Sequence, residues 1–497
     1  MRRALLTLSV VSLSTVTLVP TGAALGAPVP VLASDNVELL FTMPDVGAIS
    51  TAFDPARPVM YVNTLNGISS YDISDPATPL LMGALPMPHF ENEGMTIGRR
   101  ADGTTFLLVG VDIYSVSPTD TSTPAHAEAT AAQHLIVVDV TDPALPEIVS
   151  QLDTGSSTHT VSCVDPECTY AYTSGAYNGG TFHLIDLTNI EDPKQVKALK
   201  NVAGEGHQWD GDDAGLTWSS AGGGVAAYDI TDPADPKTLN STNAKGNQTP
   251  YNDFILHNSY RPNGDDFEQV FNEDTQRWVS GTKETASVFD GNVLLVTEED
   301  YDNPVCGGGA GEGTFSTWYV PYLDHDQFVS DHPQQNRGDR GKIEPLDTWN
   351  SEILDTGDQT IAGALCSAHY FTYHDAGFIA QGWYQQGTRI LDVRNPADIK
   401  QVGYYFTGDT ETWHAYWVPE RDAQGKVTGK DTNVIYTNDV ARGIDVLQVT
   451  LPTTPPADTA PIRAPILPQW LSGAFVSSAP SSRFGYLCRL TGGLQVG

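Results

Sequence analysis

Tyr-Asp-Ile-Ser-Asp-Pro at Tyr71–Pro76 decides the fold, because variants of it return along most of the chain. It comes back as Val-Asp-Val-Thr-Asp-Pro (Val138–Pro143), Ile-Asp-Leu-Thr-Asn-Ile-Glu-Asp-Pro (Ile185–Pro193), Tyr-Asp-Ile-Thr-Asp-Pro (Tyr228–Pro233) and Leu-Asp-Val-Arg-Asn-Pro (Leu391–Pro396). A shortened copy, Ile-Asp-Val-Leu, sits at Ile444–Leu447. Each copy follows a β-rich hairpin, and most precede a short strand such as Glu147–Leu152, Gln195–Leu199 or Gln401–Tyr405. A supersecondary unit repeated about every 40–50 residues signals a solenoid or a propeller. Strands with Gly-rich turns and no helical period between them select the propeller. The proline fixes φ and stops a ladder, while the Asp or Asn before it accepts amide N–H groups of the turn. The acids of the phrase therefore read as structural.

Seven units can be counted, beginning near Val46, Met87, Gly155, Gly204, Tyr251, Ala362 and Thr410, each of four strands with the phrase on the third. The second carries an insertion around Ser115–Ala132, and the fifth a larger one over about Arg261–Asp290 and Cys306–Asp358. Their polar, Gly-, Asn- and Pro-rich composition predicts surface loops. Asn36–Met43 resembles a fourth strand without a unit of its own, and the seventh unit stops after its third strand at Val449. The two ends complete one blade, which removes an exposed sheet edge. The expected architecture is an all-β, seven-bladed propeller over residues 36–450, closed by its N-terminal strand. A Pro- and Ala-rich linker and short tail follow over 451–497, too short for a core of their own.

The 497 residues carry 61 acids against 26 lysines and arginines, a formal charge of −35. Nucleic acid and anionic lipid both need a cationic surface, so neither is an expected partner. Met1–Gly26 reads as an export signal: Arg2 and Arg3, then apolar Ala4–Val19, then small residues at Ala24-Leu25-Gly26. No later stretch is long enough to span a bilayer, so the protein is expected to be secreted or held at the cell surface rather than integral to a membrane. Five cysteines fit an oxidising compartment, with Cys163–Cys168 a credible local bridge, Cys306–Cys366 the next pair and Cys488 left over.

The phrases resemble the LVIVD-repeat family of propeller proteins, and His134-Leu-Ile-Val-Val-Asp139 nearly spells the family's name. The resemblance spans roughly Asn36–Thr450 and implies the fold rather than an activity. A more distant likeness, of architecture and histidine placement, is to the selenium-binding protein and methanethiol oxidase propellers. That likeness implies copper associated with histidines.

Aligning the units on their first strands brings one column into view. It holds His159, His207, His257, His369 and His414 in units three to seven, and Glu93 in unit two; unit one has Ser50 or Thr51 there. Five of twelve histidines in one repeat position is more than drift at a surface site would leave. First strands line a propeller's channel, so the column predicts a ring of imidazoles and a carboxylate. Imidazole suits zinc, copper, iron or nickel, and three or four such groups make a first shell. The competing reading is a wet channel whose histidines bond carbonyls and water. Loops between second and third strands open at the same end and offer a ligand pocket from Tyr177, Glu298, Glu299, Trp383, Tyr384 and Asp439. Trp209, Trp413 and Trp417 flank the ring and read as packing between blades. Asp210-Gly-Asp212-Asp213 lacks the full ligand ladder of a calcium loop. Neither a Gly-x-Ser-x-Gly elbow nor a phosphate-binding Gly loop occurs. Two functions follow. One is a metal-dependent oxidoreductase or hydrolase using copper or zinc on a small molecule; the other is a binding scaffold for a cell-surface partner.

Overall fold

The aspartates of the repeated phrase do hold turns. Asp72 accepts the amide of Ser74 at 2.8 Å and Asp75 that of Ala77 at 3.1 Å. The same pair of bonds recurs at Asp139 and Asp142, at Asp229 and Asp232, and at Asp392 and Asn395. Each phrase thus ends one strand and turns the chain into the next.

The computed structural model describes residues 31–44, 47–64, 66–87, 93–111, 134–155, 158–175, 179–242, 255–300, 313–331, 343–351, 367–407 and 410–454. The expected export signal, the insertion at 115–132, nearly all of the tail, and Cys306, Cys366 and Cys488 lie outside these residues.

Seven antiparallel sheets form the blades, and the inner strand of each lies against the inner strands of its two neighbours in an unbroken ring. The inner strands are Ala48–Phe53, Thr96–Arg99, Thr160–Cys163, Gly206–Gly211, Ile255–Tyr260, Ala368–His374 and Thr412–Arg421, for blades one to seven. Closure occurs as the sequence predicts: Val37–Pro44 pairs antiparallel with Gly443–Val449 and supplies the missing fourth strand of blade seven. One further strand was not foreseen. Val31–Ala33 adds to Lys400–Thr407 and gives blade six a fifth strand.

The core lies between blades rather than along the axis. Tyr172 and Phe182 of blade three close on Trp209 and Tyr228 of blade four, with ring centroids 4.5–5.4 Å apart. Trp209 therefore packs as expected. The disulfide Cys163–Cys168 forms across its tight turn.

The second insertion expected in unit five is in part a correction. Phe315–Tyr319 and Glu344–Trp349 are the third and fourth strands of blade five, and every residue of Phe315–Tyr319 is buried. Without an Asp-Pro phrase these strands carry no marker. Their polar flanks make them look like loop. The first insertion does leave the blade; it holds the short hairpin Val270–Asn272/Arg277–Val279. Arg261 anchors it through a buried ion pair with Asp212 at 2.7 Å, which gives that acid of the calcium-like run a structural role.

Val37 and Met43 of the closing strand are 6% and 5% exposed. A chain beginning at Gly47 should lose about 3–6 kcal/mol of stability, at roughly 1.5–3 kcal/mol for each of these buried side chains, and expose a strand edge. Equilibrium urea unfolding checks this; an unchanged midpoint would show that the ring closes without that strand.

Candidate metal centre

The inner strands carry a shared irregularity at the level of the predicted ring. In blade four the ladder pairs Gly206 with Ala221 and Gln208 with Ser220, leaving His207 as the extra residue of a β-bulge. In blade five the register skips from Leu256 to Ser259, freeing His257 and Asn258; in blade six it skips from Ala368 to Phe371, freeing His369 and Tyr370. A bulge re-aims the extra side chain and leaves its main-chain groups unpaired. Here it turns each imidazole into the channel. Close approach of the next blade is kept open by glycine: a Cβ on Gly382 would fall 2.6 Å from the carbonyl oxygen of Trp413, and one on Gly110 2.3 Å from that of Thr158.

The freed groups bond across blades. His207 Nδ1 donates to the carbonyl of His257 at 3.0 Å, and His369 Nδ1 donates to the carbonyl of Trp413 at 2.9 Å. Each bond places a hydrogen on Nδ1, so the neutral ring directs an Nε2 lone pair into the channel. Such an outer bond to a main-chain carbonyl is the usual support of a metal-binding histidine.

Four imidazoles meet around one carboxylate. Glu93 Oε2 lies 3.1 Å from His159 Nε2, 3.2 Å from His207 Nε2 and 3.3 Å from His257 Nε2; Glu93 Oε1 lies 3.4 Å from His369 Nε2. His159 Nε2 and His207 Nε2 are 2.9 Å apart. All five residues are buried. Glu299 adds a second carboxylate, 3.6 Å from His257 and 3.7 Å from His369, and accepts a hydrogen bond from the Tyr384 hydroxyl. Tyr370 was not foreseen. Its hydroxyl lies 3.5 Å from Glu93 Oε2, placed there by the blade-six bulge, which gives no sign of itself in sequence.

Burial works against every charge in this cluster, and neighbours decide the outcome. For Glu93 burial acts upward, but the imidazoles of His159 and His369 outweigh it and hold the carboxyl well below its usual range. Burial pushes Glu299 up to about 7, although His369 opposes it. Burial lowers His207 to about 4, and lowers His257 strongly with help from His207 and His369. His369 goes the other way: burial acts downward, but Glu93 and Glu299 raise it above the ordinary value. Glu93, His159 and His207, and again Glu93, His257 and His369, form groups able to hold a metal ion, as do His207, His257 and Glu299.

Several expectations are corrected. His414 is not in the cluster. The blade-seven bulge falls between Thr412 and His414, so Trp413 takes the place that His207 has in blade four, and His414 pairs one position further along. The carbonyl of Trp413 receives an imidazole Nδ1–H just as that of His257 does. The His414 ring instead stacks between Tyr370 and Tyr416, at centroid distances of 4.9 and 3.5 Å. Of the pocket residues, Trp383 packs edge-on to Trp349 between blades five and six. Glu298 is buried beside the cluster without joining any of these groups. Asp439 holds the blade-seven turn, accepting from Thr410 Oγ1 at 2.6 Å and the Glu411 amide at 2.9 Å. Tyr177 lies outside the described residues. Glu299 and Tyr384 are the two pocket residues that the cluster takes in. His325 and His374 have local partners, the carbonyl of Thr238 and the amide of Ala376.

No protein-family model matches the chain, and no curated protein does. A solved structure similar to it is the β-propeller domain of Cps50 (Swd1) from Myceliophteria thermophila, at 11% identity and a TM-score of 0.50, covering 83% of this chain and 100% of that one. At that identity the likeness is of fold alone. The chain is a seven-bladed β-propeller, with buried His and Glu groups at one end of its channel that could hold a metal ion. Among the described residues no helix is long and apolar enough to cross a membrane.

In metal-free protein Glu93→Gln should drop the pKa of His369 below 6.5, read from imidazole resonances by nuclear magnetic resonance. A raised histidine pKa contributes stability below 6.5 that is lost as pH rises through the folded value. Glu93→Gln should therefore cost more stability at pH 5.5 than at pH 8.5. An unmoved His369 resonance would place its proton elsewhere.

Proposed function

We propose that the channel end holds a transition metal, copper or zinc, through Glu93, His159, His207, His257 and His369, and that it acts there on a small molecule in an exported protein. The observation that carries this is the pair of tied tautomers. His207 and His369 each commit a hydrogen to a carbonyl, so both aim Nε2 lone pairs at the oxygens of a buried carboxylate 3.2 and 3.4 Å away. Lone pairs facing a carboxylate repel unless a proton or a cation lies between them. A wet-channel role would not need such convergence.

A copper or zinc ion at this position supplies Lewis acidity, and copper also supplies one-electron exchange. The protein's own groups do the rest. Imidazole is the ligand both metals favour, and three or four of the cluster suffice to hold one. Glu299, close to neutrality in its protonation and bonded to Tyr384, can hold or release a proton beside the bound molecule. The architectural likeness to the methanethiol oxidase propellers favours copper. The Cys163–Cys168 disulfide is compatible with an extracellular location.

Metal analysis of protein purified without an affinity tag should find a stoichiometric metal ion, lost in the His207→Ala/His369→Ala double variant. Metal-free wild-type protein that takes up neither copper nor zinc, with a variant of unchanged stability, would leave the scaffold reading in its place.

A further inference from the structure

The inner strands continue past the histidines to a second chamber. Its lining starts at Asn258 and Phe371, just past His257 and His369, and reaches Asp210, Tyr260 and Tyr373, which lie three or four positions beyond the histidines, about 10–13 Å along the strands at roughly 3.3 Å per residue. It has a volume of about 340 Å³ and opens beside the exposed Gly211. That volume suits a small organic molecule, since such sites run from roughly 300 Å³ upward.

Its lining combines aromatic rings with carboxylates and contains neither Lys nor Arg. Tyr260 and Tyr373 face each other with centroids 6.0 Å apart and planes tilted 36°; Phe53 and Tyr416 meet edge-on at 6.0 Å. Asp210 accepts the Ser259 amide at 3.0 Å and Gln208 Nε2 at 3.3 Å, and makes no ion pair among the described residues. Burial pushes its carboxyl up to about 7. Asp431, raised to about 7 by burial too, accepts the Asp375 amide at 3.1 Å and, among the described residues, no other hydrogen bond. Two half-buried carboxyls in a chamber lined by neither Lys nor Arg can match a cationic charge brought from outside. A bare hard cation would want six or more oxygen ligands, which aromatic walls do not offer. An alkylammonium group gains from both features, by ion pairing with the acids and by attraction to the ring faces.

We propose that this far end of the channel is a second binding site, separate from the histidine cluster, for a small organic ammonium ion with apolar substituents. Asp210 and Asp431 supply the charge, and the two aromatic pairs supply the walls.

Calorimetric titration of EDTA-treated full-length protein with choline, and with its uncharged isostere 3,3-dimethylbutan-1-ol, tests the proposal. Choline should bind, the isostere should bind at least about tenfold more weakly, and Asp210→Asn should remove about tenfold or more of the choline affinity. The comparison of the two ligands on wild-type protein stands even if the variant fails to fold. Equal binding of both, or no choline binding at about 10 mM, would overturn the proposal. So would choline binding that disappears in His207→Ala/His369→Ala while surviving Asp210→Asn. Because metal is stripped throughout, this outcome is independent of whether the cluster holds copper or zinc.

Discussion

A hydrogen bond from an imidazole Nδ1 in one blade to a main-chain carbonyl in the next holds the candidate centre in shape. It occurs between blades four and five and again between blades six and seven. Both bonds depend on bulges. The extra residue leaves the ladder, its side chain enters the channel, and its carbonyl is free to accept. Each tied ring is consequently fixed by backbone from a different blade. Val37–Pro44 completes blade seven, whose Trp413 carbonyl holds His369, so a strand near the N-terminus supports the cluster from a distance.

Burying four imidazoles with two carboxylates would be costly if all kept their solution charges. The opposed shifts show how the metal-free protein avoids this. Glu93 keeps its charge, His369 retains a proton more firmly than a free histidine, Glu299 retains one up to about 7, and His207 and His257 stay neutral. Protons thus occupy positions where a cation would satisfy the same lone pairs. Metal entry would release them, which couples affinity to pH without any further residue.

Fold and site were legible to different degrees, for physical reasons. The Asp-x-x-Asp-Pro phrases mark turns whose chemistry is local, so they made the repeat visible, while the orphan strand at Asn36–Met43 showed how the ring closes. Strands Phe315–Tyr319 and Glu344–Trp349 lack the phrase, and only their pairing identifies them, the first with Val293–Glu299 and the second with the first. The histidine column named Glu93, His159, His207, His257 and His369 because those positions keep equivalent places relative to their strands. It included His414 wrongly because a bulge displaced by one residue cannot be seen in sequence, and a single residue changes which way a strand side chain points. Glu299 was one of six loop residues offered as a ligand pocket; its place in the cluster comes from lying at the buried end of a second strand beside Tyr384.

The exclusion of His414 gives it another part. Tyr370 reaches Glu93 with its hydroxyl, lies nearly parallel to His414, and His414 lies on Tyr416, whose hydroxyl accepts the Thr51 amide at 2.9 Å. Tyr416 in turn lines the far chamber. This column of three rings runs from the histidine cluster to the chamber wall. Burial holds the His414 imidazole well below its ordinary pKa, so it remains neutral and the column carries no charge of its own. Apolar ring faces at this level lower the local dielectric, and that strengthens every electrostatic contact around Glu93.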